Sequence, residues 1–287
     1  MTFKFAHISD LHFYSVCCNP LQIFTKRFLG NLNHTILRNR FFDSSLPDLA
    51  ADYIKSLGVS HIFISGDYTC TSTKKEFLRA KKFIESLVAL GFTIYTIPGN
   101  HDAYTKYSCK NRLFYRYFDG LIEPTGYGGF NLMQDRVAAH LLANDWFLLS
   151  IDCAYSTPYI KSTGIFSEKL EKRLKELLSA LPVNAKIILS GHFSLGKFKY
   201  PKAHLEREEK LKEIIRSDDR IKVYLHGHRH QQEIFHMENL LVADSGSIAC
   251  QKTSSFNLVE LSKDLCKIIA FRRNGKTWEE NHHKETF

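Results

Sequence analysis

Six short runs of aliphatic, β-branched or aromatic residues each stop abruptly at polar ones. Phe3 to Ile8 precedes Ser9-Asp10, His61 to Ile64 precedes Ser65-Gly66-Asp67, and Thr93 to Ile97 precedes Pro98-Gly99-Asn100. Trp146 to Ile151 precedes Asp152, Ala185 to Leu189 precedes Ser190-Gly191-His192, and Ile221 to Leu225 precedes His226-Gly227-His228. Runs of this length predict buried strands whose C-terminal ends carry functional loops.

Helical patterns fill the spaces between them. Pro47 to Leu57 stops at Gly58, Thr73 to Leu90 stops at Gly91, and Ser167 to Leu181 carries Leu170, Leu174, Leu177 and Leu181 on one face. Leu205 to Arg216 is charge-rich and also reads as helix. Alternation of strands and helices predicts layered α/β packing. After Leu240 the apolar runs are strand-like and no helix intervenes, so a β-rich closing half is expected. Residues 274–287 read as a polar C-terminal tail, leaving 1–273 as one domain interrupted by insertions at 13–46 and 104–130.

Composition narrows the picture only a little. A chain of 287 residues with 44% apolar content can bury a core of that size. A net charge of +9 favours an anionic partner: nucleic acid, a phosphorylated substrate or an acidic membrane face. The seven cysteines are odd in number, scattered, and contain no CxxC pair. That spacing argues against a disulfide framework and a thiolate zinc site, and fits a reducing compartment. With no charged leader and no uninterrupted apolar run of about 18 residues, a cytoplasmic protein without a spanning helix is expected.

The strand ends carry the chemistry. In Asp10-Leu11-His12, residues two apart on an extended chain point the same way, so a carboxylate and an imidazole can grip one cation. Gly66-Asp67 adds a second carboxylate, and Gly99-Asn100-His101-Asp102 stacks an amide oxygen, an imidazole and a carboxylate after a turn. Gly191-His192 and Gly227-His228-Arg229-His230 contribute three more imidazoles. Each of these fragments is commonplace alone. Five of them in this order, each at a strand end, are not.

Together these blocks resemble the signature of the calcineurin-like metallophosphoesterases, and Asp244-Ser245-Gly246-Ser247 is similar to the segment that follows the last histidine motif in that family. The resemblance implies a four-layer α-β-β-α sandwich with a two-metal site at the C-terminal ends of the strands. It implies one divalent ion held by Asp10, His12, Asp67 and His230, and a second held by the shared Asp67 with Asn100, His192 and His228. Mixed nitrogen and oxygen donors suit Mn²⁺, Fe or Zn²⁺ better than Mg²⁺ or Ca²⁺, and Mn²⁺ is the expected metal. His226 is left out of the ligand set. His101, adjacent to a ligand, is the expected proton donor to the leaving oxygen, with Asp102 orienting its ring. Arg229 is a candidate for substrate phosphate.

The insertions must set the substrate. In a helix, Leu21, Phe24, Phe28, Leu32 and Ile36 of the first insertion form an apolar stripe, with Lys26, Arg27, Arg38 and Arg40 mostly elsewhere. Such an element either packs on the core or lies on an anionic membrane and shelters acyl chains. Tyr104 to Phe130, rich in basic and aromatic residues, is expected to form the opposite wall. The stretch Thr25 to Asn33 resembles chlamydial-type UDP-2,3-diacylglucosamine pyrophosphatases of lipid A biosynthesis. That resemblance implies a UDP-linked acylated sugar as substrate, Phe24, Phe28 and Arg27 among its contacts, peripheral attachment to the cytoplasmic side of the inner membrane, and no nucleic-acid partner. Two alternatives stand beside it: a soluble phosphodiesterase using the aromatic and basic insert as a stacking groove, and a scaffold that keeps the fold without catalysis.

Overall fold

A computed structural model describes residues 2–15, 41–158, 161–196 and 204–286. Phe24, Arg27 and Phe28, with the rest of the stripe expected in the first insertion, lie outside the described residues.

The N-terminal half alternates strands and helices: β1 (Phe3–Ile8), α1 (Leu46–Ser56), β2 (His61–Ile64), α2 (Lys74–Ala89) and β3 (Thr93–Thr96). α2 begins with a reciprocal cap, in which Thr73 and Glu76 each accept the other's backbone N–H. A cap of this kind contributes about 1 kcal/mol. Its buried face, Phe77, Ala80, Phe83, Ile84 and Leu87, recurs every three to four residues as an amphipathic helix requires. Short helices α3 (Lys106–Lys110), α4 (Leu113–Tyr117) and α5 (Leu132–Asp135) lead into β4 (Val137–Ala143) and β5 (Trp146–Ile151).

Then follow β6 (Gly164–Ile165), α6 (Glu168–Ala180), β7 (Lys186–Ser190), β8 (Leu205–Glu206), α7 (Glu208–Ser217) and β9 (Ile221–His226). The chain closes with β10 (Glu233–Met237), β11 (Leu240–Asp244), β12 (Ser255–Leu261), β13 (Cys266–Asn274) and β14 (Thr277–Thr286). The first sheet runs β14-β13-β12-β1-β2-β3 and the second β10-β11-β9-β7-β5-β4, with β6 and β8 pairing separately.

β5 shows how the layers form. It is buried along its whole length, and alternate side chains serve different cores. Trp146 and Leu148 join Ile188, Val223 and Leu225 in a cluster shared with the first sheet, α1 and α2. Phe147, Leu149 and Ile151 join the leucines of α6 and the Leu211, Ile214 and Ile215 face of α7. Two central sheets flanked by helices result, as expected for the α-β-β-α sandwich. β1, β2 and β3 are parallel to one another, and so are β5, β7, β9 and β11. All these strands therefore deliver their C-terminal loops in common directions within each sheet.

Three expectations are corrected. Residues 274–286 are not a free tail, because β14 pairs antiparallel with β13 from Asn274↔Thr277 to Cys266↔Thr286. Its side chains are mostly exposed and polar, four of them charged, with Trp278 and Thr286 buried, which is how an edge strand resists pairing with another chain. Leu205 and Glu206 form a short strand ahead of α7, so the helix begins three residues later than expected. Three of the five aromatics from Tyr107 to Phe118 belong to the core rather than to the expected wall, while Tyr107 is exposed. Phe114, Tyr115 and Phe118 are buried, and Phe114 and Phe118 pack edge-on and tilted against Tyr68, where they gain more from the core than from water. Arg112 from the same insertion turns inward to Asp152 at 2.9 Å. Among the described residues no helix is long and apolar enough to cross a membrane.

Candidate metal centre

The loops after β1, β2 and β3 meet those after β7 and β9 at one end of the sandwich. Within the first sheet they are laced by backbone bonds: Asp10 N–H donates to Gly66 O at 3.0 Å and His12 N–H to Asp67 O at 2.9 Å. The second sheet is tied on by His228 N–H, which donates to Asp10 Oδ2 at 2.9 Å, and by Ser247 Oγ, which donates to Asp10 O at 2.7 Å.

Asp10 and His12 converge by a route that strand periodicity does not describe. β1 ends at Ile8, and both residues have left-handed backbones, with φ of 57° and 48°. His228 and His230 are likewise left-handed, at 72° and 56°. Asp67 makes a fifth, at 57°. Non-glycine residues in this region cost energy that only a tightly held loop sustains, and such strain concentrates at functional sites.

Three overlapping groups of donor atoms result; two form the centre, and the third joins His101 to His12 and Asp67 within 4.8 Å. In the first, Asp10 Oδ1 lies 3.0 Å from His230 Nε2 and 3.4 Å from His12 Nε2, and the two imidazole nitrogens are 3.0 Å apart. In the second, His192 Nε2 lies 3.2 Å from Asp67 Oδ2 and 3.3 Å from Asn100 Oδ1. His228 offers a ring nitrogen within 4.8 Å of the Asp67 and His192 donors. Asp67 Oδ2 is also 4.0 Å from His12 Nε2, so this carboxylate stands between the groups.

The donors fit a pair of divalent cations. Asp10 Oδ1 is buried without a hydrogen-bond partner, although two imidazole nitrogens, His230 Nε2 and His12 Nε2, stand beside it. A buried carboxylate oxygen left without a partner is unfavourable unless something else satisfies it. The mixture of imidazole, carboxylate and amide oxygen is a transition-metal donor set.

Without ions, the imidazoles supply the positive charge that the buried carboxylates require. Burial opposes ionisation of Asp10, yet His230, His12 and His192 hold its carboxyl well below the usual range. Asp67 is also buried and also held low, by His192, His101 and His12. Burial works against a charged His192, but Asp67 and Asp10 lift it to about 9. Burial, reinforced by His192, pushes His228 down to about 3.

His101 sits at the rim, half-buried, its ring edge-on to His12 at 5.0 Å and stacked on Tyr104 at 5.7 Å. Its Nδ1 is 2.6 Å from Cys70 O, which fixes Nδ1 as the donor and leaves Nε2 as the nitrogen that exchanges a proton. Asp102 is not the group that orients this ring. Its Oδ2 accepts from Gly99 N–H and Tyr68 N–H, and its Oδ1 from Thr69 N–H and the Thr69 hydroxyl, all within 3.2 Å. The carboxylate braces the turn that carries Asn100, and burial together with Asp67 raises it to about 7. Arg229 is engaged by Glu233 at 3.0 Å on the surface side of the loop.

Sequence reasoning missed the supports. Cys70 acts through a backbone carbonyl and leaves no trace in residue type. Gly99 and Gly227 matter for what they lack: a Cβ on Gly99 would overlap Asp67 Oδ1 and stand 2.5 Å from Asp67 N, and one on Gly227 would overlap Ser9 Oγ and stand 2.6 Å from Asp10 Oδ2.

A profile of the calcineurin-like phosphoesterases matches residues 3–232. No functionally curated protein matches the chain. Among solved structures, a dimetal phosphatase from Danio rerio is 14% identical with a TM-score of 0.66, over 97% of this chain and 98% of that one. A purple acid phosphatase from yellow lupin seeds is 11% identical with a TM-score of 0.62, over 100% of this chain and 54% of that one. GAP50, an anchor in the inner membrane complex of Plasmodium, is 13% identical with a TM-score of 0.59, over 99% and 88%. At these identities the likeness concerns the fold.

Proposed function

The chain belongs to the calcineurin-like phosphoesterase family and is a metal-dependent phosphoester hydrolase; from that premise we propose that it cleaves the pyrophosphate of UDP-2,3-diacylglucosamine, giving UMP and 2,3-diacylglucosamine 1-phosphate. The observation that carries the hydrolase reading is the double donor group astride Asp67 Oδ2. The substrate is favoured by the resemblance of Thr25 to Asn33 to the chlamydial-type pyrophosphatases, and by the basic and apolar make-up of the first insertion. Mn²⁺ is the proposed metal, and the cytoplasmic face of the inner membrane, reached through the same insertion, the proposed location.

Bound divalent ions would supply Lewis acidity to the phosphoryl oxygens and lower the pKa of an attacking water. Asp10, His12 and His230 would hold one ion, Asn100, His192 and His228 the other, and Asp67 both. The residues of the chain do the rest. Left-handed loops fix the ligands before substrate arrives, so little reorganisation is needed during reaction. His101, held by the Cys70 carbonyl, presents Nε2 at the rim and gives its proton to the oxygen that leaves phosphorus. Asp102 keeps the Asn100 turn in place and takes no part in that transfer.

The test is hydrolysis by purified protein with added Mn²⁺ of three substrates: UDP-2,3-diacylglucosamine, its deacylated UDP-sugar and a cyclic nucleotide, with products resolved by mass spectrometry. Preferred release of UMP from the acylated substrate supports the proposal. Preferred turnover of the cyclic nucleotide would refute the lipid substrate while leaving the metal chemistry intact.

A further inference from the structure

Phe42 lies against the first donor group. Its ring centroid is 5.0 Å from that of His12 and 5.5 Å, edge-on, from that of His230. The position is built in. Phe42 bridges Cys250 in antiparallel fashion, flanked by Asp43 N–H donating to Ala249 O at 2.9 Å and Gln251 N–H donating to Phe41 O at 2.8 Å. The turn it is pinned to is itself fastened to the first ligand, through Ser247 Oγ to Asp10 O and Ile248 N–H to Ser9 O at 3.1 Å.

Phe193 packs in the same way on His192 and His228 but is buried, whereas Phe42 meets two of the ligand imidazoles and keeps part of its surface exposed. The next residue back, Phe41, is 46% exposed. A small hydrophilic phosphate gains nothing from such a surface. A phosphate carrying an apolar substituent gains the burial of that substituent while its phosphoryl group stays beside Asp10, His12 and His230.

We infer that Phe42 is a specificity-determining residue, an apolar wall that selects phosphate-linked substrates bearing a non-polar group close to the phosphorus. The inference rests on the phosphohydrolase reading of the site but not on the UDP-linked lipid.

The experiment compares wild type, Phe42→Ala and Phe42→Leu, each loaded with Mn²⁺. Calorimetry measures binding of dodecyl phosphate and methyl phosphate below micellar concentrations, elemental analysis counts the metal, and kinetics follow the dodecyl and methyl p-nitrophenyl diesters. Wild type should bind dodecyl phosphate more tightly than methyl phosphate. Phe42→Ala should weaken the dodecyl ligand about tenfold, the usual scale for losing part of a hydrophobic pocket, raise KM for the dodecyl diester by a similar factor, and leave the methyl compounds and the metal content unchanged. Phe42→Leu should recover most of the loss. Equal losses on both ligands, loss of metal in Phe42→Ala, or no chain preference in wild type would overturn the inference. Failure of UDP-2,3-diacylglucosamine to react, with the dodecyl preference intact, would remove that substrate and leave the role of Phe42 standing.

Discussion

Gly99→Ala is the sharpest test of how the site is held. The added methyl would overlap Asp67 Oδ1 and stand 2.5 Å from Asp67 N and 2.7 Å from its Cγ. Ordinary contact needs about 3.5 Å, so the carboxylate must retreat by about 1 Å. Metal–oxygen bonds tolerate only tenths of an ångström, and Asp67 stands between both donor groups. The expected result is metal affinity weaker by about 10- to 100-fold at both positions, on the scale of lost ligand support. Misplacement of this size should also slow turnover about 100-fold, and overpacking should destabilise the metal-free fold by about 1–3 kcal/mol. Calorimetric Mn²⁺ titration and thermal unfolding in chelator separate these effects. Gly120→Ala is the control: its left-handed φ of 74° strains any added side chain, but a Cβ there meets nothing within 4 Å, so it should cost stability without disturbing the metals. If Gly99→Ala bound two metals with wild-type affinity, the bridging position of Asp67 would be wrong.

Further expectations follow the same logic. Asp67→Ala should lose most of both metals and all hydrolysis; half the activity with both metals retained would sink the shared-ligand assignment. His101→Ala should keep both metals but slow release of a poor leaving group about 100-fold, and Asp102→Asn should lower unfolding stability by about 1–3 kcal/mol through its lost acceptors without altering the shape of the pH–rate profile; the reverse pattern would restore Asp102 to the chemistry. Burial, with His226 nearby, holds His7 down to about 3 from its ordinary 6.5, so the folded state favours the neutral ring. Its contribution is complete above pH 6.5 and is lost as pH falls towards 3, at about 1.4 kcal/mol per unit. Urea unfolding in chelator at pH 7, 6 and 5 should therefore show a shallower loss in His7→Gln, and identical slopes would refute the assignment. Phe114→Ala should cost about 3 kcal/mol of stability while leaving turnover of a small diester unchanged; selective loss of activity on an acylated substrate would return the second insertion to the substrate wall.

Much of this was legible in the sequence because buried parallel strands are continuous apolar runs, and their ends are marked by whatever polar residues the site requires. β1, β2, β5 and the core of β9 could be read in that way, and the seven ligand candidates with them. The polar strands could not. β10 and β14 have few buried side chains, so alternation is hidden beneath charge, and their pairing is decided by neighbours far along the chain. The site was legible in its members but not in its geometry. Asp10 and His12 look like a period-two pair, whereas a left-handed loop brings them together. Asp102 looks like a partner for the adjacent His101, whereas it faces back into its own turn. Adjacency in sequence says little about direction once the backbone leaves the strand.

The centre belongs to neither sheet alone. Asp10, His12, Asp67 and Asn100 come from one, and His192, His228 and His230 from the other. β1, which carries the first of them, is completed on one side by β12, where Phe3 pairs with Leu261. While the ribosome is still extending the chain, the earliest ligands therefore wait, with no imidazoles from the second sheet to face them and only one flank of their own strand filled. Completion of the cage is a late event in the life of the polypeptide, and a product cut short before His192 has only the half that the first sheet supplies.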